Sequence, residues 1–514
     1  MSNSDKLDEL ARRKAAAEAM GGAEKIEQRH ARGALTARER VERFLDAGSF
    51  FELGKLACSD VPGFEERTPA DGKVCGFGAI DGRKVAISAD DATILAGSGG
   101  RVGTRKANQL AQLAIEKGFP LLHLGDAGGA RIPDIQGSDG LASMTAKTPA
   151  LRRLRRVPMV TVILGDSFGA PTWSAAFSDF VVQQKGSCMA VSGPRVLEIA
   201  TGEKVTPEEL GGWEVHARTT GLADRAGDTE EACFAIAREF LSFLPGSASE
   251  LPPRRPSAED PWPRQSRLRT ILPDSPRKAY DMGKIIATLV DDERFFPLKP
   301  DFDRSVITCL ARLDGHPVGI IASQPMGSAG AMGPDGCDKC ASFIALCDSF
   351  HIPLIFLHDT PGFFVGKDAE HRRMPGKIIN FLEALALSTV PKVSIVVRKS
   401  YGMAFSNMAG TGMGADFLFA WPTADISFMA PEAAANVVHY RRIAASADPE
   451  AERARAVDEL RLASEPWRAA GLYQLDDVID PADTRRVLIQ SLELARGTSG
   501  GRSERLLAAW PTSF

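Results

Sequence analysis

The chain repeats itself. A run at 157–170, Val-Pro-Met-Val-Thr-Val-Ile-Leu-Gly-Asp-Ser-Phe-Gly-Ala, is echoed at 390–403 by Val-Pro-Lys-Val-Ser-Ile-Val-Val-Arg-Lys-Ser-Tyr-Gly-Met. Each is a β-branched, apolar strand pattern entered by a proline and leading to a glycine that opens a helical stretch. The copies lie 233 residues apart, and the same offset relates Asp81-Gly82 to Asp314-Gly315, Asp126 to Asp359 and Gly169 to Gly402. Beyond the second glycine the register slips to 237, where Asp179-Phe180 meets Asp416-Phe417. A shared offset across so many landmarks marks a duplicated unit. Strands alternating with helices in each copy give an α/β architecture.

The duplication also says where chemistry belongs. A strand–glycine–helix junction aims backbone N–H groups from a helix N-terminus, a position that stabilises an anion. In α/β layers, ligands sit beyond the carboxyl ends of the strands. In the first copy two loops reach that edge, Gly128-Gly129-Ala130 and Gly169-Ala170. The offset places Gly362-Phe363 and Gly402-Met403 at the same edge of the second copy. Two converging N–H groups form an oxyanion hole for an enolate or tetrahedral oxygen. No Walker A or His-Glu-x-x-His motif stands out in the sequence, so chemistry is expected to rest on backbone dipoles, with no metal site. The histidines show no ligand spacing, and His216, His351 and His439 read as surface or core residues. Cys337 and Cys340 form a lone CxxC that reads as the start of a helix continuing to Cys347.

At 514 residues the chain is too long for one core, and two domains, 1–250 and 251–514, are expected. The boundary is the proline-rich segment 245–277, read as an extended connector. Residues 4–30 read as one polar helix, Thr36-Ala37-Arg38-Glu39 as a capping box, Asp81-Gly82 as a hairpin turn, and 104–117 as a helix before a strand at 119–125. A net charge of −4 gives no reason to expect nucleic acid, and no apolar run approaches the roughly 18 residues of a membrane span. The polar, acidic start is unlike a signal or transit peptide, and the scattered cysteines read as free thiols, so a cytoplasmic location is expected.

These loops resemble the carboxyltransferase (β) subunits of biotin-dependent acyl-CoA carboxylases and the related decarboxylase and transcarboxylase subunits. The likeness runs through Leu35-Thr36-Ala37-Arg38-Glu39-Arg40, Gly97-Ser98 to Lys106, Gly128-Gly129-Ala130-Arg131-Ile132, Thr201-Gly202-Glu203-Lys204-Val205-Thr206, Asp359-Thr360-Pro361-Gly362-Phe363, Arg398-Lys399-Ser400-Tyr401-Gly402 and Met429-Ala430-Pro431-Glu432. The resemblance implies two tandem crotonase-like ββα spiral domains, the first holding acyl-CoA and the second biotin, with active sites shared between subunits of a hexamer built as a trimer of dimers. It implies that Ala130 and Gly169-Ala170 hold the thioester oxygen and that Phe363 and Gly402-Met403 hold the biotin ureido oxygen. Carboxybiotin would release carbon dioxide, biotin would remove the α-proton of a short acyl-CoA of propionyl or acetyl type, and the enolate would capture the carbon dioxide. Lys106, Arg131, Phe168 and Tyr401 are the candidate cofactor-binding side chains, Lys106 toward CoA phosphates. The acyl-pocket walls are expected near Phe168, Trp173 and the Asp359–Gly366 loop.

The chain has no Ala-Met-Lys-Met-like biotinylation site and no ATP-binding domain. Biotin would therefore arrive on a separate carrier served by a separate biotin carboxylase. The chain departs from the family pattern at Ala170-Pro171, at Met403 and at Ala430 and Ala433, where carboxylases carry glycines or small residues. Its Arg398-Lys399-Ser400-Tyr401-Gly402 stretch stands closer to the decarboxylase and transcarboxylase branch. The second reading is accordingly a malonyl-, methylmalonyl- or glutaconyl-type decarboxylase, with or without biotin. A third is a non-catalytic or crotonase-like partner. A hydratase would need a carboxylate pair near Gly128–Arg131, with Asp126 and Asp134 in range.

Overall fold

The offset read in the sequence holds element by element. The computed structural model describes residues 2–145, 149–256, 265–275 and 278–511 and divides into two units, Met1–Glu250 and Leu251–Thr512. In the first unit the strands Lys73–Ile80, Arg83–Asp90, Leu121–Gly125 and Met159–Ile163 begin 233 residues before Val306–Leu313, His316–Ser323, Leu354–Thr360 and Lys392–Tyr401 of the second. The helices Arg101–Lys117 and Pro334–Ser349 keep the same register. Phe180–Gln184 and Phe417–Ala420 stand at 237, the four extra residues falling after the second glycine.

Each unit is built on one mixed sheet whose main strands follow chain order. An antiparallel hairpin leads and parallel strands follow, each reached through a helix. The two hairpin turns are alike. Asp81 and Gly82 take φ of 50° and 76°, and Asp314 and Gly315 take 49° and 75°, as a two-residue turn matched to strand twist requires. Each turn is held by a carboxylate from outside the hairpin. Asp46 accepts from the N–H groups of Asp81 and Gly82 at 3.1 and 2.8 Å, and Asp291 from those of Asp314 and Gly315 at 3.1 and 2.7 Å.

Burial follows the periodicity. In the second unit, Ile285, Ile286 and Leu289 of one helix pack on Val318, Ile320, Ile355, Val393 and Ile395 of the sheet. In the first, Leu110 and Ala114 pack on Cys75, Ala86, Leu121 and Met159. The capping box forms, Thr36 N–H donating to Glu39 Oε2 at 2.8 Å and Glu39 N–H to Thr36 Oγ1 at 3.3 Å.

Three local expectations are corrected. Residues 4–30 make two helices, Asn3–Glu18 and Ala23–His30. They part at Gly21, where a Cβ would meet the Thr93 carbonyl oxygen at 2.1 Å. The helix expected at 104–117 begins at Arg101. The connector 245–277 is not extended throughout: Ser266–Thr270 forms a 3-10 turn that buries Leu268 in the second unit's core, while 257–264 lie outside the described residues. Cys337 and Cys340 sit on the buried helix that continues to Cys347, where burial pushes their thiols up. Among the described residues no helix is long and apolar enough to cross a membrane.

Candidate active site

Two loops meet at the strand ends of the first unit. Gly128 N–H donates to Ala96 O at 2.8 Å, Gly99 N–H to Gly129 O at 2.9 Å and Arg131 N–H to Gly99 O at 2.8 Å. Gly129 takes φ of 107°, a conformation open to glycine. A Cβ on Gly129 would stand 3.8 Å from the Phe168 carbonyl oxygen, so the first loop lies against the second. There Gly169, at φ 69°, donates to Ala190 O at 3.2 Å, and the helix Ala170–Phe177 begins. Pro171 fills the second helical position, where its missing N–H leaves no gap in the helix. After these bonds are assigned, the N–H groups of Ala130 and Ala170 have no acceptor among the described residues.

The second unit repeats the arrangement, except that Pro361, at the position of Gly128, has no N–H to donate. Met332 N–H donates to Gly362 O at 3.2 Å and Phe364 N–H to Met332 O at 2.9 Å. Gly362 has φ 121°, and its Cβ would stand 3.8 Å from the Tyr401 carbonyl oxygen. Gly402, at φ 60°, donates to Ser427 O at 3.0 Å, and the helix Met403–Asn407 begins. The N–H groups left without an acceptor are those of Phe363 and Met403. Ala430 caps the helix Pro431–Val438 at φ −56°, so its backbone needs no glycine.

The expected cofactor side chains are placed otherwise. Lys106 is buried, and its Nζ donates to the carbonyls of Ala70, Lys73 and Gly54 at 2.7, 2.6 and 3.3 Å. Its three protons are spent on the backbone, and burial draws its pKa down, so it offers nothing to a phosphate. Lys339, at the duplicated position, donates to Phe302, Asp303 and Val306 in the same way. Arg131 is buried between Asp71 and Asp134, 2.6 Å from the latter. The Tyr401 hydroxyl donates to Asp425 at 2.5 Å, and burial with this bond pushes its pKa up. The Phe168 ring packs on Gly193, where a Cβ would come within 3.0 Å.

Neither candidate hydratase carboxylate is free. Asp126 is clamped by Arg29 and Arg40, each at 2.7 Å. Asp134 is held by Arg131 and by the Ser59 hydroxyl at 2.9 Å. Asp359, the duplicate of Asp126, is likewise clamped by Arg398 at 2.9 Å and Lys399 at 3.4 Å.

A cavity of about 480 Å³ opens behind the first unit's hole. Gly129, Ala130, Gly169 and Ala170 line it together with Trp173, one of the expected wall residues; Phe168 does not. Sequence reasoning missed Thr104, Ala107, Asn108 and Ala111, which line it from the helix Arg101–Lys117. Their spacing of three and four was the available signal: a stripe of small residues on one helical face.

Residues 28–505 match the carboxyl transferase domain, and the chain belongs to that family. It is an enzyme of the carboxyltransferase class on the crotonase-like fold. It is 37% identical over 502 residues to the propionyl-CoA carboxylase carboxyltransferase subunit of Haloferax mediterranei, covering 96% of this chain and 97% of that one. It is 34% identical to the methylmalonyl-CoA decarboxylase subunit alpha of Veillonella parvula, covering 98% of each. Among solved structures it resembles a transcarboxylase 12S hexamer with methylmalonyl-coenzyme A and methylmalonic acid bound, at a TM-score of 0.90 and 36% identity, covering 96% of this chain and 95% of that one.

Proposed function

We propose that this chain is the carboxyltransferase subunit of a biotin-dependent system, moving a carboxyl group to or from the α-carbon of an acyl-CoA, with propionyl- and acetyl-type thioesters its shortest substrates. The observation that carries this is the matched set of unpaired N–H groups, Ala130 with Ala170 and Phe363 with Met403. The first pair donates to the thioester oxygen. As the α-proton leaves, negative charge grows on that oxygen and the preset dipoles strengthen their hold without reorganising. The N-terminus of the helix Ala170–Phe177 adds its positive end to the same point.

The second pair fits a neutral carbonyl oxygen such as that of a ureido ring, since both donors are free and the Met403 side chain is partly exposed beside them. Biotin, on a separate carrier, would bring the carboxyl group and supply the base. The chain's residues orient and stabilise, and the clamped Asp126 and Asp134 are not available as a base. Val365 and Phe428, exposed apolar residues of the second unit, are surfaces a docking partner would cover. A separate biotin carboxylase and carrier, a hexameric assembly like that of the transcarboxylase and a cytoplasmic location complete the reading.

Decarboxylation is the second direction, favoured by the relative named as a methylmalonyl-CoA decarboxylase. The Arg398-Lys399 pair that draws the sequence toward that branch is engaged with Asp359, so it does not set the direction at the reacting atoms. The test incubates the purified chain with malonyl-CoA and methylmalonyl-CoA, with and without free biotin. Activity only with biotin, restored fully by a biotinylated carrier and its carboxylase, is expected. Decarboxylation independent of biotin overturns the role given to Phe363 and Met403.

A further inference from the structure

We infer that the cavity behind the Ala130–Ala170 hole is an acyl-chain channel that takes straight, apolar acyl groups of medium length, well beyond propionyl. This rests on the acyl-CoA reading above and names the substrate class of that site. The donors that would hold the thioester oxygen lie at the mouth of the cavity. Behind them the walls are apolar, Ala107 and Ala111 on one side and Met159 and Phe177 on the other. In liquid a group the size of a water occupies about 30 Å³, and a methylene is of similar size. The two carbons that propionyl carries beyond its carbonyl therefore fill only a small part of the 480 Å³.

The polar side of the cavity lies at the strand ends that carry the hole, where Asp126 N–H is 3.4 Å from Asp90 Oδ2, and it carries no unpaired charge. His123, Lys73 and Ser88 line the cavity there. Asp90, fully buried, is 3.3 Å from His123 Nε2 and salt-bridged to Lys73. Burial alone would raise the pKa of Asp90, but these two partners hold it well below the usual carboxylate range. An apolar chain gains from each methylene until it reaches Leu121, Met159 and Phe177, which lie toward the opposite strand ends and set the upper length.

The duplication shows that the channel is a particular feature of the first unit. Where it has Ala107, Leu110 and Ala111, the second unit has Cys340, Phe343 and Ile344, all buried. Where it has Lys73, Asp90 and His123, the second has Val306, Ser323 and Phe356. On one scaffold, the same face is filled by larger side chains in one copy and left open in the other.

The experiment measures binding of saturated acyl-CoA esters from acetyl to dodecanoyl by calorimetry with the intact protein, so that no biotin chemistry enters. Affinity is expected to tighten by up to about fourfold per added methylene, and to level off at medium length. In Ala111→Ile, which installs the second unit's residue, octanoyl-CoA is expected to bind at least tenfold more weakly, with its ratio to propionyl-CoA reduced accordingly. Ala107→Val serves the same purpose if the first variant does not fold. Constant or falling affinity beyond propionyl-CoA, or a folded Ala111→Ile that binds octanoyl-CoA as tightly as the parent, overturns the channel and leaves carboxyl transfer standing. Failure of every ester to bind overturns the acyl-CoA reading itself.

Discussion

At the scale of single residues, the active groups are backbone atoms one position beyond the glycines that draw the eye. Gly169 and Gly402 use their own N–H groups on Ala190 and Ser427, and their positive φ turns the next N–H outward. Met403→Pro removes that N–H at a helical first position that tolerates proline. It is expected to lower carboxyl transfer by about 10²–10³-fold with acyl-CoA affinity unchanged, read from turnover alongside a CoA-binding isotherm. Lys106 gives the opposite lesson. A lysine after a glycine-rich loop reads in sequence as a phosphate ligand, yet the three carbonyls it serves lie 33 to 52 residues away in the chain. That distance is what sequence reading could not cross. Lys106→Met strands those carbonyls and is expected to cost about 3 kcal/mol of stability, seen as a lowered urea midpoint, while CoA affinity holds.

At the scale of elements, the hairpins show how similar devices carry different weight. Both turns hang from one carboxylate. Asp291 is also paired at 2.5 Å with Arg485, which is 1% exposed, while Asp46 is paired at 3.2 Å with the solvent-reached Arg238. Removing one partner of a buried pair leaves a charge without compensation, whereas an exposed pair contributes little. Asp291→Ala is therefore expected to cost about 3–5 kcal/mol and Asp46→Ala about 1 kcal/mol, compared by denaturant unfolding. The hairpins themselves were legible, because Asp-Gly between alternating apolar runs dictates the turn. The close approach at Gly21 was not, because the carbonyl that crowds it belongs to Thr93, distant in sequence.

At the scale of the whole molecule, the constant offset made the duplicated architecture and both pairs of loops readable before any coordinate. It could not reveal which side chains the ion pairs and hydrogen bonds engage, as they engage the Arg131 guanidinium and the Tyr401 hydroxyl. Nor could it show the cavity, since a space is set by residues from several elements at once. Stability against acid also belongs to this scale. His358 is fully buried beside Ser400 at 2.9 Å, and burial lowers its pKa from 6.5 to about 4. Its folded value lies below its unfolded one, so the unfolded chain takes the proton first, and stability falls as pH drops from about 6.5 to about 4. The loss from this group is about 3 kcal/mol. Urea midpoints followed across that window should fall less steeply in His358→Gln than in the parent, the remainder coming from His316 and His216, whose pKa values burial also lowers.

The four residues by which the second copy outgrows the first have a practical use. They fall between Met408 and Asp416, downstream of the Met403 donor, in a stretch where Thr411 and Gly412 are exposed. Seven of the eight native thiols are buried, and Cys58 is half-buried. Thr411→Cys would thus introduce one readily alkylated sulfur on the second unit, a seat for a fluorophore that reports carrier arrival without touching the groups that do the chemistry.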